Sequence, residues 1–111
     1  MEEANEIYFY TTSGGKNLIK EYLDGLPKSE RAEGYYILET IEQNGPKYLQ
    51  TLNARQLDGK LWEIKFRRHN RMFYILKNED KLYILHACKK QKNKTENQEI
   101  NKARERAKEI L

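Results

Sequence analysis

Lysine and arginine residues are concentrated in about one third of this 111-residue chain. Residues 60 to 94 contain eleven of them against three acidic residues, which gives this segment a net charge of +8. The whole chain has a formal net charge of +4, so the remaining residues carry a net charge of −4. Positive charge segregated in this way favours a polyanionic partner such as nucleic acid. A solvated basic surface would account for the charge alone equally well.

Three residues of this segment, Lys65, Arg71 and Lys90, have the side-chain types that cleavage of RNA without a metal ion requires. In that reaction the 2′-hydroxyl attacks the neighbouring phosphate, so the enzyme accepts one proton, stabilises a phosphorane and protonates the 5′ leaving oxygen. Crowding by Arg67, Arg68 and Arg71 is expected to disfavour the charged form of Lys65, which would suit it to act as the base. Arg71 offers the phosphate a bidentate fork, and Lys90 or Lys89 would protonate the leaving oxygen. Further basic residues would bind the RNA: Arg67, Arg68, Lys89, Lys92 and Lys94.

Two histidines and one cysteine are the other candidates for chemistry. His69 lies in an expected hairpin loop, and His86 is expected on a buried face near Met72, where a core histidine is the simpler interpretation. His86 is kept as a second-rank acid–base candidate. The single Cys88 excludes an internal disulfide and the usual zinc spacings, and an inert buried thiol is expected. The sequence therefore predicts neither a metal site nor a cofactor.

Three consecutive strands are expected to position these residues. Residues 62 to 67 alternate apolar and charged, residues 72 to 76 are all apolar, and residues 81 to 88 follow a polar turn, which indicates an antiparallel meander. If each loop between these strands has an odd number of residues, the even-numbered residues of all three strands lie on one face of the sheet and the odd-numbered residues on the other. The apolar face would then hold Trp62, Ile64, Phe66, Met72, Tyr74, Leu76, Leu82, Ile84, His86 and Cys88. Lys65, Arg71 and Lys89 would share the other, exposed face, so that replacing Arg71 should cost little packing.

The remaining segments predict one α+β domain over residues 1–111, in the order β-α-α-β-β-β-α. Residues 7 to 10 suit an edge strand, and two helices are expected near residues 18–23 and from Ser29 to about residue 44. Residues 47 to 60 are expected to form a connecting loop. A third helix should follow the T-x-x-Q capping box at residues 95–98, with a narrow apolar stripe that docks weakly or packs on a partner. The sequence shows neither a membrane span nor a signal peptide, which predicts a cytoplasmic protein.

Several short segments in this order resemble the phage-derived HigB branch of the RelE/ParE toxin superfamily. They are L-D-G-x-L-W-E-I-K at residues 57–65, Arg71 before M-F-Y, K-K-Q-K-N-K-T at 89–95 and E-I-x-K-A at 99–103. The resemblance implies an antiparallel sheet with two helices on one face and a C-terminal helix. It also implies a type II toxin that cleaves messenger RNA on the ribosome, without a cofactor, and that a HigA-like helix-turn-helix antitoxin silences.

The resemblance also assigns roles to individual residues. Arg71 matches the phosphate-binding arginine of RelE-like RNases, Lys90 the basic residue after the last strand, and Lys65 one of two second-strand lysines. Glu63 stands where the other lysine is found, and the terminal tyrosine of some RelE proteins has no counterpart. Two alternatives are a ParE-like poison that binds DNA gyrase and a basic RNA-binding module without activity. A cluster of Lys65, Arg71 and Lys90 favours the RNase.

Overall fold

The computed structural model describes residues 6–78, 81–90 and 95–111, which fold around a single mixed sheet. Five strands occur in the described residues: β1 (Glu6–Phe9), β2 (Asn53–Asp58), β3 (Leu61–Phe66), β4 (Asn70–Lys77) and β5 (Lys81–Lys89). The helices are α1 (Leu18–Asp24), α2 (Lys28–Asn44) and α3 (Thr95–Ile110), and a 3₁₀ helix spans Pro46–Thr51. The strand order is β1-β5-β4-β3-β2, in which β1 pairs in parallel with β5 and the other pairs are antiparallel. The α+β class, the meander and the edge strand β1 are confirmed.

The segment expected to be a loop is the main error in the predicted elements. Residues 47 to 60 contain most of the 3₁₀ helix and strand β2, which pairs with β3 at the sheet edge. Strand β2 exposes most of its side chains and therefore has little apolar periodicity to reveal it. The predicted stop of α2 is correct, because Gly45 follows the helix with a φ of 85°, a conformation that glycine adopts without strain.

Helices cover both faces of the sheet. Helices α1 and α2 pack on one face, where Ile19, Leu23 and Ile41 join Ile64 and Met72 in the larger core. Helix α3 packs on the other face, and its Ala103 and Ala107 are buried in a second core, which also contains Leu61, Phe73, Ile75 and Leu85. The narrow alanine stripe of α3 therefore docks on the sheet itself. Because the sheet lies between two helical layers, polar residues on the α3 face can be buried, as Glu63 and Arg71 are.

A bulge in β5 divides the predicted register into a correct and an incorrect half. Tyr74 pairs with Ile84 but Phe73 pairs with His86, so Leu85 is an extra residue without a partner on β4. Strand residues before the bulge follow the predicted parity, and those after it change faces. His86 and Cys88 consequently lie on the α3 face, which corrects their predicted place in the other core.

None of the helices in the described part of the chain has both the length and the apolar character that a membrane span requires.

Candidate active site on the sheet face under α3

Two adjacent rows of paired residues cross the sheet on the face that α3 covers. The first row contains Arg55, Glu63, Phe73 and His86, and the second contains Asn53, Lys65, Arg71 and Cys88. Each row takes one residue from each of strands β2 to β5, so side chains distant in sequence become neighbours. We call the side chains of Arg55, Glu63, Lys65 and Arg71 the basic patch.

Glu63 is the centre of the basic patch and is fully buried, with 0% of its surface exposed. The Nε of Arg55 lies 2.8 Å from one carboxylate oxygen, and the Nη1 of Arg71 lies 3.0 Å from the other. The charge of a buried carboxylate is costly unless cations and hydrogen bonds compensate it. The two arginines supply this compensation from the strands on either side of β3.

Arg71 is 2% exposed, which corrects the prediction that it stands on an open surface. The reason is that α3 covers this face of the sheet and Glu63 pairs with the guanidinium. The side chain of Arg55 is 50% exposed, and Lys65 is half-buried next to Arg71. Lys65 and Arg71 are thus brought together as predicted. Arg55 was missed, since its strand was taken for a loop.

His86 is engaged at both ring nitrogens. Its Nε2 contacts the carboxylate of Glu99 from α3, and its Nδ1 lies 3.2 Å from Nη1 of Arg106. Since a guanidinium only donates, Nδ1 accepts, and the proton of the neutral ring is on Nε2 and points to Glu99. Burial lowers the pKa of His86, although Glu99 opposes this shift, and the ring also stacks on Phe73 with centroids 5.8 Å apart. In this arrangement neither nitrogen is available to a substrate.

Glu99 also interacts with Cys88. The sequence had not indicated Glu99 as a residue of the site. Burial and then the charge of Glu99 raise the pKa of the Cys88 thiol to about 12, so the thiol is neutral at physiological pH. Burial raises the pKa of Glu99, but hydrogen bonding to His86 and the positive charge of Lys102 outweigh this, and the net shift is downward. Only the docking of α3 brings Glu99 to β5, and no local sequence pattern encodes that contact.

Lys89 and Lys90 stand at the C-terminal end of β5. Lys89 pairs with Asn70 and lies on the opposite face beyond the bulge, which corrects its predicted place beside Lys65. Lys90 is exposed just after β5, where its N–H donates to the carbonyl of His69 at 2.5 Å. Lys92 and Lys94 lie outside the described residues.

The hairpin between β3 and β4 contains two further residues that were predicted to bind RNA, Arg67 and Arg68. Arg67 and Arg68 have φ values of 51° and 66°, a conformation that non-glycine residues adopt infrequently. The Nε of Arg67 donates to Glu33 of α2 at 2.6 Å, and Arg68 is exposed. His69 lies in the loop as predicted, and its Nε2 is 3.2 Å from Glu30 of α2. These contacts tie the hairpin to α2 rather than to the basic patch.

Asn70 and Glu30 continue the network between the hairpin and the helices. Asn70 is buried, donates to Glu30 at 2.9 Å and accepts from the hydroxyl of Tyr22 at 2.5 Å. The hydrogen bond from Asn70, with that from His69, lowers the pKa of Glu30 despite partial burial. This network fixes the start of β4, from which Arg71 projects to the other face.

The fold and the basic patch together define a small α+β protein with a charged sheet face closed by a C-terminal helix. The family model described as phage derived protein Gp49-like (DUF891) matches residues 21–108, and the chain belongs to this family. The family is toxin-like, of the RelE/HigB type found in toxin–antitoxin systems. A comparison with curated proteins gave no significant match.

Proposed function

We propose that the chain is the toxin of a type II toxin–antitoxin pair and cleaves messenger RNA on the ribosome without a metal ion. Membership of a toxin-like family, over residues 21–108, carries this proposal. A cognate antitoxin, HigA-like and with a helix-turn-helix domain, would neutralise it. An enzyme that acts on translating ribosomes works in the cytoplasm, which is the location we propose.

The basic patch supports RNA cleavage because it combines cations that a phosphate can reach from solvent with one cation that is buried. Arg55 and Lys65 are partly exposed and would contact the phosphate first. Arg71 lies behind them, where its charge adds to the positive potential that stabilises the phosphorane. A water-excluded setting strengthens such interactions, since the effective dielectric constant is lower than in water.

The proton transfers are assigned to residues with access to solvent. Lys65 would accept the proton of the 2′-hydroxyl, and the exposed Lys90 after β5 would protonate the 5′ leaving oxygen. His86 would take part only after it releases Glu99 or Arg106. Arg68 and Lys89 would hold the RNA at the hairpin end of the sheet, by contacts to phosphates that carry no sequence information.

A protein that acts by binding alone is the second candidate. Arg71 is buried against Glu63 and both nitrogens of His86 are engaged, which suits structural roles for these side chains. A ParE-like gyrase poison and an inactive RNA-binding module are the two forms of this alternative. Lys65 and Arg71 remain neighbours although Lys89 is on the other face, and this pair favours the RNase.

Expression of the chain alone should arrest growth by stopping translation, and co-expression of the antitoxin gene next to it should restore growth. Primer extension on a message translated in vitro should then show new 5′ ends, whereas DNA gyrase should keep its supercoiling activity. Inhibited gyrase with intact messages would support the ParE-like alternative. Full tolerance of soluble, folded chain would contradict the toxin assignment.

A further inference from the structure

Three side chains of different donor chemistry converge between β5 and α3. The ring nitrogen of His86, the thiol of Cys88 and the carboxylate of Glu99 all lie within 4.8 Å of one another, and all three residues are half-buried. Nitrogen, sulfur and oxygen at about 2.0 to 2.3 Å are the donors that Zn²⁺ prefers. We propose that these residues form a site for a thiophilic divalent cation such as Zn²⁺, which ties α3 to β5.

The backbone presets two of the three ligands. His86 and Cys88 are two residues apart on β5 and, because of the bulge at Leu85, both face α3. Glu99 lies in the N-terminal part of α3 and reaches the same point. A tetrahedral ion holds its ligand atoms roughly 3.3 to 3.8 Å apart, so loading the site requires shifts of about an ångström. The present contact between His86 and Glu99 has to open by that amount.

The two anionic ligands balance the charge of a divalent ion, although the cations Arg106 and Lys102 also act on His86. Loading displaces the thiol proton of Cys88 to solvent, and the thiolate and the Glu99 carboxylate then neutralise the two positive charges. The metal takes Nε2 of His86, so the ring proton moves to Nδ1. Arg106 must release Nδ1, and it retains the carbonyl of Leu85 at 2.8 Å. Three protein ligands leave the fourth position to water.

Loading the site would stabilise the packing of α3 next to the basic patch. Cys88 pairs with Arg71 across β4 and β5, so the ion would lie one strand away from the patch. Because the ion binds the folded chain and joins two elements, it should raise the thermal midpoint as its concentration increases. This inference is independent of RNA cleavage, since its test measures only metal binding.

Titration of the purified full chain with Co²⁺ tests the site, because Cys88 is the single cysteine of the sequence. Any thiolate-to-cobalt charge-transfer band must therefore come from Cys88. We expect this band together with the visible absorption of tetrahedral cobalt, at one ion per chain, and we expect Zn²⁺ to bleach both.

Three variants separate this site from adventitious binding. Cys88→Ser should lose the charge-transfer band, and Glu99→Gln should weaken Zn²⁺ binding at least about tenfold, since one of three ligands is lost. His69→Gln removes the other histidine, which contacts Glu30, and should leave the affinity unchanged. Absence of the band in the folded wild-type chain would overturn the proposal, as would equal Zn²⁺ affinities for wild type and Glu99→Gln. Circular dichroism checks that each variant is folded.

Discussion

Replacement of Arg71 by alanine should destabilise the fold by about 3 kcal/mol. Removal of one partner of a buried ion pair typically costs about 3 to 5 kcal/mol, because the other charge remains buried. Glu63 is 0% exposed, but it would keep Arg55 at 2.8 Å, which favours the lower end of that range. A loss of this size is a large share of the roughly 5 to 15 kcal/mol that stabilises a typical domain.

Urea unfolding followed by circular dichroism measures this effect. A loss of about 3 kcal/mol should lower the urea midpoint by about 1 to 3 M, for a slope of roughly 1 to 3 kcal/mol per molar. Arg55→Ala should cost only about 1 kcal/mol, since its side chain is 50% exposed and Glu63 would keep Arg71.

The double variant Glu63→Leu/Arg71→Met supplies the matched control. It removes both charges and retains apolar volume, and such replacements are often neutral or stabilising. We therefore expect the double variant to be more stable than Arg71→Ala. If Arg71→Ala unfolds within about 0.5 kcal/mol of wild type, the buried pair of Glu63 and Arg71 does not stabilise the fold and our argument is refuted.

Two further predictions concern the network that anchors β4. Tyr22→Phe removes the hydroxyl that donates to buried Asn70 and should lower the free energy of unfolding in urea by about 1 to 3 kcal/mol. The control Tyr36→Phe, at a residue that is 63% exposed, should cost nothing measurable. Equal costs for the two variants would contradict the role of the Tyr22 hydroxyl. The lowered pKa of Glu30 stabilises the fold above its ordinary value of 4.5, and this stability is lost as the pH falls through the lowered value. Glu30→Gln should therefore show a smaller fall of the thermal midpoint between neutral and acidic pH than the control Glu39→Gln. Identical pH profiles for the two variants would contradict a stabilising role of the Glu30 carboxylate.

The sequence was sufficient to predict the elements with strong periodicity. Strand β3 alternates apolar and charged residues, and the placement of Lys65 and Arg71 on one face followed from this parity. Strand β2 was missed because its segment, with Ala54 and Leu57 as the apolar residues, lies at an edge. Edge strands with few apolar residues form only because a neighbouring strand offers backbone hydrogen bonds, and a local pattern does not contain that information.

The candidate site was only partly predictable, and the bulge at Leu85 is one reason. Ile84 and Leu85 are both buried apolar residues, so the sequence does not show that one of them is extra. One inserted residue moved His86, Cys88 and Lys89 to the opposite faces from those predicted. The burial of Glu63 and Arg71 depends on the docking of α3 through two alanines, a stripe too weak to indicate that the face is covered.

Single-turnover cleavage of ribosome-bound messenger RNA tests the assignment of the basic patch most directly. Lys65→Gln removes a partly exposed cation of the patch, and Lys28→Gln removes an exposed cation at the start of α2, on the opposite face of the sheet. With both variants folded, we predict that Lys65→Gln lowers the rate by about 10² to 10³ and that Lys28→Gln changes it by no more than a few fold. Equal rates for wild type and Lys65→Gln, or equal losses in the two variants, would contradict a catalytic patch under α3.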